Sequence, residues 1–222
     1  MKDTDQILRD GFDRRGAAWA RWGQVESDVL AHMINPTFMG GPRWPAMRQS
    51  FRVARAGSSV LVASDGLSDP YDEGEGPGDV NGIGVECFAV TSDPIDTLPG
   101  SWFFDMVWQI SQFAAGRPDI PDLLDELSFL TTELYNVGIP EESRDRFINQ
   151  EERVGVFLGL SDLPIPSSIE GPLSTIRLVN TKLLTLDELA FVIDGGDHAR
   201  HALAKRFVAP RLESSLARES AV

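Results

Sequence analysis

The sequence predicts an α+β fold, in which a central and largely antiparallel β-sheet is packed against helices. Segments typical of strands cluster between residues 51 and 90 and again between 154 and 180, and segments typical of helices lie before, between and after them. Strands and helices do not alternate regularly along the chain, as they would in a doubly wound parallel sheet. No stretch has the composition of a linker, so residues 1–222 are predicted to form a single domain.

The first half of the chain combines helical and strand-like patterns. Apolar residues recur at three- and four-residue steps over 7–34, which predicts one or two amphipathic helices. Asn-Pro and Gly-Gly-Pro sequences end this region. Alternating and β-branched residues then predict strands at 51–55 and 59–63, joined by a hairpin loop at 56–58, and a third strand at 84–90.

The second half returns to helical periodicity before its own strands. Apolar stripes predict helices at 102–113 and 122–137, with Gly116 and Gly138 as candidates for C-terminal caps. The charged segment 141–152 is predicted to be a helix or loop on the surface. The remaining elements are predicted as strands at 154–160 and 174–180 and as helices at 185–193, which starts with a capping-box spacing, and 197–216.

The charge balance limits the classes of partner. The chain has 20 Lys and Arg residues against 34 Asp and Glu residues, a net charge of −14. This balance disfavours binding to nucleic acid or to anionic membranes, so a partner selected by charge is expected to be basic. The single cysteine, Cys87, cannot form an internal disulfide. With no signal peptide and no window of about 18 apolar residues, a cytoplasmic location is predicted.

No motif in the sequence predicts a cofactor, a metal or a catalytic residue. The glycine-rich loop at 74–84 lacks the lysine and the glycine spacing of a phosphate-binding loop, and its acids do not follow the spacing of a calcium loop. His198 and His201 stand one helical turn apart, a weak indication of zinc because no further ligands complete the site. Cys87 lacks an activating neighbour, so no nucleophile is predicted there.

Two short motifs carry a resemblance to a known protein family. They are Gly-Leu-Ser-Asp at 66–69 and Gly-Ile-Gly-Val-Glu at 82–86. Together with the order of the segments around them, over roughly residues 45–195, they resemble the suppressor-of-fused (SUFU) family. In this resemblance Glu86 is the acidic residue of the family's strand.

The resemblance implies a fold and a class of function. The implied fold is SUFU-like, and the chain is similar to a bacterial single-domain member. The animal members of the family are two-domain regulators that bind a transcription factor, whereas this chain has the length of their N-terminal domain alone. The bacterial members include immunity proteins that neutralise toxins, as in toxin-antitoxin pairs. The resemblance thus implies a non-enzymatic protein-binding domain, and the charge of −14 is consistent with a basic toxin, such as a nuclease, as its partner.

The residues of the two motifs are predicted to be structural. Asp and Ser side chains suit a tight turn, because they hydrogen-bond to nearby backbone groups, and glycines suit a close approach of two backbones. The predicted structural set is Gly66, Ser68, Asp69, Gly82, Gly84 and Glu86.

The acidic loop that follows is predicted to contact the partner. It has few apolar residues to bury, so it is expected to be exposed. The predicted partner-binding residues are Asp69, Asp72, Glu73, Glu75 and Asp79. The alternative hypothesis is an enzyme or small-molecule-binding protein whose site is assembled from distant residues, with Glu86, Asp69 and His198 as the first candidates.

Overall fold

The computed structural model describes residues 4–72, 75–161, 164–207 and 212–222. Its helices are α1 (Thr4–Trp19), α2 (Trp102–Ala115), α3 (Ile120–Leu127), α4 (Arg144–Phe147) and α5 (Leu186–Arg206). Its strands are β1 (Gln24–Val25), β2 (Leu30–Ala31), β3 (Ser50–Ala56), β4 (Ser59–Asp65), β5 (Val85–Thr91), β6 (Leu130–Leu134), β7 (Val154–Leu158), β8 (Ser168–Glu170) and β9 (Thr175–Leu183). Two 3-10 helices, Pro36–Met39 and Glu141–Ser143, lie in the connections.

The strands form one mixed sheet. Its order is β1-β3-β4-β5-β9-β7-β6, with β2 also paired to β3 and β8 to β9. β5 and β9 run parallel, and the other pairings among the described strands are antiparallel. The predicted α+β fold with a largely antiparallel sheet is therefore confirmed.

Both faces of the central strands are covered by helices. In β4, Val60 and Val62 belong to a core that includes residues of α2 and α3, whereas Leu61 and Ala63 belong to a second core with Trp19 of α1. Because successive side chains of a strand point to opposite faces, the sheet has α2 and α3 on one side and α1 on the other. The polar residues Asp65 and Glu86, which point towards α1, are therefore fully buried.

The helix ends follow the capping signals of the sequence. Ser101 caps α2, where its side chain accepts a hydrogen bond from the backbone N–H of Phe104, and Gly116 follows the last turn. Thr185 and Glu188 form the predicted capping box at the start of α5. Gly196 interrupts α5 with a non-helical conformation, at the predicted break between two helices. In the described part of the chain, no helix is both long and apolar enough to span a bilayer.

The local patterns locate the central strands correctly. The strands predicted at 51–55, 59–63 and 84–90 correspond to β3, β4 and β5, and the later pair corresponds to β7 and β9. In the predicted hairpin Ala56 pairs with Ser59, which leaves Gly57 and Ser58 as a two-residue turn. The helix at 102–113 corresponds to α2.

The helical prediction for 7–34 is correct only for its first half. α1 ends at Trp19, and the following residues form β1 and β2 at the edge of the sheet, paired with β3. A Cβ atom on Gly23 would lie 2.4 Å from the carbonyl oxygen of Arg55, so glycine allows the chain to approach β3 closely just before it pairs with that strand. Of the apolar residues that suggested a second helix, Trp22, Val25 and Leu30 pack against the cores, whereas Val29 and Met33 are exposed.

Two other helical predictions extend too far. In the segment 122–137 the helix α3 ends at Leu127, Ser128 takes a φ of 64°, and 130–134 form β6 against β7. Pairing with β7 overrides the local helical preference of this segment. The last helix ends at Arg206 rather than at 216, and strand β8 is absent from the prediction.

Candidate functional site

Six charged side chains meet on the face of the sheet that α1 covers, and we call them the ion cluster. Its members are Arg15 of α1, Arg48 and Arg52 before and within β3, Asp65 at the end of β4, Asp69 in the next turn, and Glu86 of β5. Arg48 is the most accessible member, with 35% of its side chain exposed, and the three carboxylates are fully buried. Three positive and three negative charges balance one another.

Arg15 connects α1 to all three acids. Its Nε donates to Asp65 Oδ1 at 2.5 Å, its Nη1 to Ser68 Oγ at 3.0 Å and its Nη2 to Asp69 Oδ1 at 2.8 Å. Glu86 Oε1 lies 3.6 Å from the same Nε. A guanidinium group can make such contacts in several directions at once because its donors form a planar fork.

The other two arginines complete the contacts of the aspartates. Arg48 Nε donates to Asp69 Oδ2 at 2.9 Å, and its Nη2 lies 3.2 Å from Oδ1. Arg52 Nε donates to Asp65 Oδ2 at 2.9 Å. The guanidinium of Arg52 also lies 3.4 Å from the ring centroid of Phe12, so α1 shields this side of the cluster with an aromatic ring.

Glu86 fixes the turn that follows β4. Ser68 donates to Glu86 Oε1 through its backbone N at 3.0 Å and its Oγ at 2.6 Å, and the backbone N of Gly66 donates to the same oxygen at 3.1 Å. Ser64 Oγ donates to Oε2 at 2.5 Å. One carboxylate thus satisfies four donors from a five-residue stretch, which would otherwise be buried without partners.

The protein environment shifts the pKa values of Glu86 and Asp65 in opposite directions. Burial raises the pKa of Glu86 and outweighs the opposing effect of Arg15. Burial alone would also raise the pKa of Asp65. The charges of Arg15 and Arg48 and the hydrogen bond from Arg52 outweigh this effect, so the pKa of Asp65 is lowered. Burial alone would lower the pKa of Arg15, whereas the surrounding carboxylates hold it above its usual value.

Two glycines of the motifs lie where another backbone leaves no room for a side chain. A Cβ atom on Gly66 would lie 2.3 Å from the carbonyl oxygen of Arg48. On Gly82, whose φ is +49°, it would lie 2.4 Å from the oxygen of Leu67 and 2.5 Å from that of Asp69. Gly84 has a φ of +78°, and a Cβ atom there would make only an ordinary contact, 3.8 Å from Pro121 Cγ. At this position the backbone conformation, not close approach, favours glycine.

The exposed acids form a second group, the acidic loop, defined as Asp72, Glu75 and Asp79. Arg43 contacts Asp72 Oδ2 at 2.7 Å and Glu75 Oε2 at 3.1 Å, and about half of each acidic side chain remains accessible. Asp79 is exposed. Glu73, predicted to belong to the same surface, lies outside the described residues.

Asp69 does not belong to this exposed group. The sequence placed it at the start of a partner-binding loop, but its side chain has no exposed area and both of its oxygens are bonded to arginines. The expectation that it is exposed is therefore wrong. The turn 66–69 folds inward onto Glu86, and the chain reaches the surface only after it.

The whole arrangement resembles solved structures of Suppressor of Fused. One is the structure of a Sufu-Fu complex, which matches 96% of this chain and 91% of the solved chain with 14% identity and a TM-score of 0.54. Another is Drosophila Suppressor of Fused, with 15% identity, a TM-score of 0.55 and the same 96% of this chain. The chain has a SUFU-like fold. It spans about half the length of the Drosophila chain, because the match covers 51% of that protein.

The SUFU-like fold places the two motifs of the sequence resemblance against each other. Gly66 and Ser68 of the first motif donate to Glu86 of the second. Gly82 lies close to the carbonyl groups of Leu67 and Asp69. No family model matches the sequence, and no curated protein sequence is similar to it, so the likeness rests on the fold.

The other candidate residues lie elsewhere in the SUFU-like fold. His198 is exposed on α5, a helix that packs against β6 and β7, whereas Glu86 and Asp69 share the ion cluster. His201 Nδ1 lies 3.1 Å from the carbonyl oxygen of Asp197. Among the described residues, no group of three His, Cys, Asp or Glu side chains is arranged to hold a metal ion. Cys87 is buried, and burial raises the pKa of its thiol, which opposes formation of a nucleophilic thiolate.

Sequence reasoning missed the three arginines of the ion cluster. α1 buries Gly11, Arg15, Ala18 and Trp19, which lie at helical spacing on one face. The small residues of that face were a usable signal, because they allow a close approach of the helix to the sheet. Arg14 and Arg15 are adjacent and identical in type, so composition alone does not show which of them is buried.

Proposed function

We propose that this chain is a non-enzymatic protein-binding domain, an immunity protein that neutralises a basic toxin. The observation that carries the proposal is the acidic loop: Asp72, Glu75 and Asp79 are presented to solvent by a chain with a net charge of −14. Opposite charges on a partner would speed the first encounter, as they do in other tight protein pairs.

The ion cluster supports binding rather than catalysis. Its carboxylates are fully buried and already bonded to arginines, hydroxyl groups and backbone N–H groups, so they offer no free acid or base to a substrate. A catalytic acid or base must come within hydrogen-bonding reach of the reacting atoms. The cluster instead holds α1, β3, β4 and β5 in fixed positions.

The solved neighbours agree with a binding role. One of the similar structures is that of a Sufu-Fu complex, so a protein of this fold binds another protein in that case. For the present chain, the partner is proposed from its own charge. A toxin whose active surface binds nucleic acid would carry the complementary basic charge.

The test uses the product of the gene next to this one. We expect the purified chain to bind that product and to restore growth when both are expressed in one cell. A variant with Asp72→Lys, Glu75→Lys and Asp79→Lys should associate more slowly at low salt and protect poorly. The difference from wild type should shrink between 0.1 M and 1 M salt, because the Debye length falls from about 10 Å to about 3 Å.

A matched control separates the acidic loop from net charge. Glu126→Lys, Glu142→Lys and Asp194→Lys change the net charge equally at exposed positions on other elements. This control should retain most of the association rate and full protection. Equal loss in both variants would show that only total charge matters, and failure of the wild-type chain to bind the neighbouring product would refute the immunity proposal.

A further inference from the structure

A concentration of exposed apolar side chains lies next to β2 and in the connection from β2 to β3. Of the eight large apolar residues that the described part of the chain exposes, five fall between positions 29 and 39. They are Val29, Met33, Ile34, Phe38 and Met39, and we call them the apolar patch. Met33 is fully exposed, and Ile34, Phe38 and Met39 are 62%, 73% and 78% exposed. Large apolar side chains that are exposed close to one another are typical of interaction sites.

Alternation along the chain explains why these side chains face outward. Leu30 packs against the core on the α2 side, and His32 contacts the ring of Trp108 with centroids 4.8 Å apart. Their neighbours Val29 and Met33 therefore point away from the protein. The burial of Leu30 and His32 orients the exposed residues between and beside them.

The second half of the apolar patch is held in a defined turn. Asn35 caps the 3-10 helix Pro36–Met39, where its Oδ1 accepts from the N–H of Thr37 at 3.0 Å. Its amide group also donates to the carbonyl oxygen of Met47. Gln49 Nε2 lies 3.0 Å from Thr37 Oγ1 and from the oxygen of Pro42. Phe38 and Met39 are thus presented on an anchored turn, which reduces the entropy lost when a partner binds.

The apolar patch and the acidic loop are fastened to the same segment, Pro42–Pro45. Thr37 Oγ1 donates to the oxygen of Pro42, and Arg43 holds Asp72 and Glu75. The N–H of Asp72 donates to the oxygen of Pro45 at 3.1 Å. Between positions 26 and 41 the sequence has two acids and no Lys or Arg. Glu26 is paired with Arg55, so Asp28 and the acidic loop supply the negative charge next to the patch.

We propose that the apolar patch and the acidic loop form one docking surface for a protein with an apolar face ringed by Lys and Arg. The proposal rests on the proposed function, for which it names the interface. A second copy of this chain would bring the same acidic borders together, and an anionic membrane would be repelled by them. Charge complementarity therefore favours a basic protein over either.

The test uses a probe that does not depend on the identity of the toxin. A fluorescent amphipathic helical peptide of leucine and lysine should bind the full chain, whereas a matched leucine and glutamate peptide should not. The double variant Phe38→Ser, Met39→Ser should bind the leucine and lysine peptide at least about tenfold more weakly. Ile193→Ser, at a residue that is 65% exposed on α5, outside the apolar patch, is the control and should bind as wild type does.

Each outcome decides the proposal. Equal binding by the Phe38 and Ile193 variants, or no binding of the leucine and lysine peptide by wild type, would overturn it. Dimerisation of wild type that Phe38→Ser, Met39→Ser abolishes would assign the surface to a second copy, and binding to phosphatidylcholine vesicles without peptide binding would assign it to a membrane. If the peptide result holds but the neighbouring gene product does not bind, the surface stands and the immunity proposal fails.

Discussion

The two groups of acids in this chain, three in the ion cluster and three in the acidic loop, come from nearly the same stretch of sequence. Asp65, Asp69 and Glu86 are fully buried and bonded to arginines or backbone donors. The acidic loop lies between Asp69 and Glu86 and is exposed. Both groups contain two aspartates and one glutamate, so their composition does not distinguish them.

The difference shows how burial sets the role of a carboxylate. In the ion cluster each carboxylate is removed from water and is stabilised only by its partners, so removing one partner leaves a buried charge unsatisfied. In the acidic loop water solvates each charge, and the ion pairs with Arg43 are partly screened. Changes in the first group should therefore alter stability, and changes in the second should alter binding.

The largest effect is expected for Arg15→Met. This change removes the guanidinium that contacts all three buried carboxylates and should cost about 3 to 5 kcal/mol of unfolding free energy. Urea denaturation followed by tryptophan fluorescence measures it. Arg14→Met is the control, because Arg14 is exposed and, among the described residues, its side chain bonds only to the carbonyl oxygen of Glu170. It should cost less than about 1 kcal/mol. Similar losses in both variants would mean that the ion cluster does not hold α1 on the sheet.

A smaller loss is expected where the motif glycines meet other backbones. Gly82→Ala should destabilise the protein by about 1 to 3 kcal/mol, because its Cβ would meet two carbonyl oxygens and its φ is positive. Gly66→Val should act in the same direction for the same steric reason. Gly78→Ala is the control, since no atom lies within 4 Å of its Cβ position. Unchanged thermal midpoints for Gly66 and Gly82 variants, together with lost binding, would make the motifs a contact surface instead.

The stability of the protein should depend on pH in two opposing ways. The pKa of Asp65 is lowered in the folded protein. Its contribution to stability is therefore present above pH 3.8, its ordinary pKa, and is lost as the pH falls through its pKa in the folded protein. The pKa of Glu86 is raised above its ordinary 4.5. Its contribution to stability is therefore present below pH 4.5 and is lost as the pH rises through its pKa in the folded protein. The urea midpoint of wild type should therefore include a decrease above pH 4.5 that comes from Glu86. The Glu86→Gln variant should not show this part of the decrease. A difference curve that is flat across that range would show that the pKa of Glu86 is unchanged by folding.

The smallest effect on stability is expected for Arg43→Ala at the surface. The thermal midpoint should stay unchanged, because water screens the contacts of Arg43 with Asp72 and Glu75. The same change leaves the acidic loop more negative, so association with a basic partner should become faster at low salt. Stopped-flow measurements at two salt concentrations test this. A marked fall in the thermal midpoint would show that the contacts of Arg43 stabilise the fold, as those of the ion cluster do.

The fold was predictable where local pattern and tertiary environment agree. β3, β4 and β5 have periodic or β-branched sequences, and α2 has a wide apolar stripe with a cap at each end, so each could be located within a residue or two. β6 was not predictable, because its sequence is compatible with a helix and only pairing with β7 makes it a strand. The edge strands β1 and β2 are two residues each, too short to leave a period.

The ion cluster was predictable only in part. The motifs pointed to Ser68, Asp69 and Glu86, but nothing local marks Arg15, which is more than fifty residues away in sequence from Ser68. Long-range ion pairs of this kind leave no periodic signal in a single sequence. Exposure of the apolar patch was also hidden, since Val29 and Met33 match the apolar stripe of the helix predicted over 7–34.

The most direct test compares two matched triple variants by urea denaturation. Asp65→Asn, Asp69→Asn, Glu86→Gln changes the ion cluster, and Asp72→Asn, Asp79→Asn, Glu75→Gln makes the same chemical changes in the acidic loop. We expect the first variant to lose several kcal/mol of unfolding free energy or to fail to fold, because three arginines then lack buried counter-charges, and we expect the second to unfold as wild type does. Equal stability of the two variants, or a larger loss in the acidic loop, would contradict the division of the acids into a structural and a binding group.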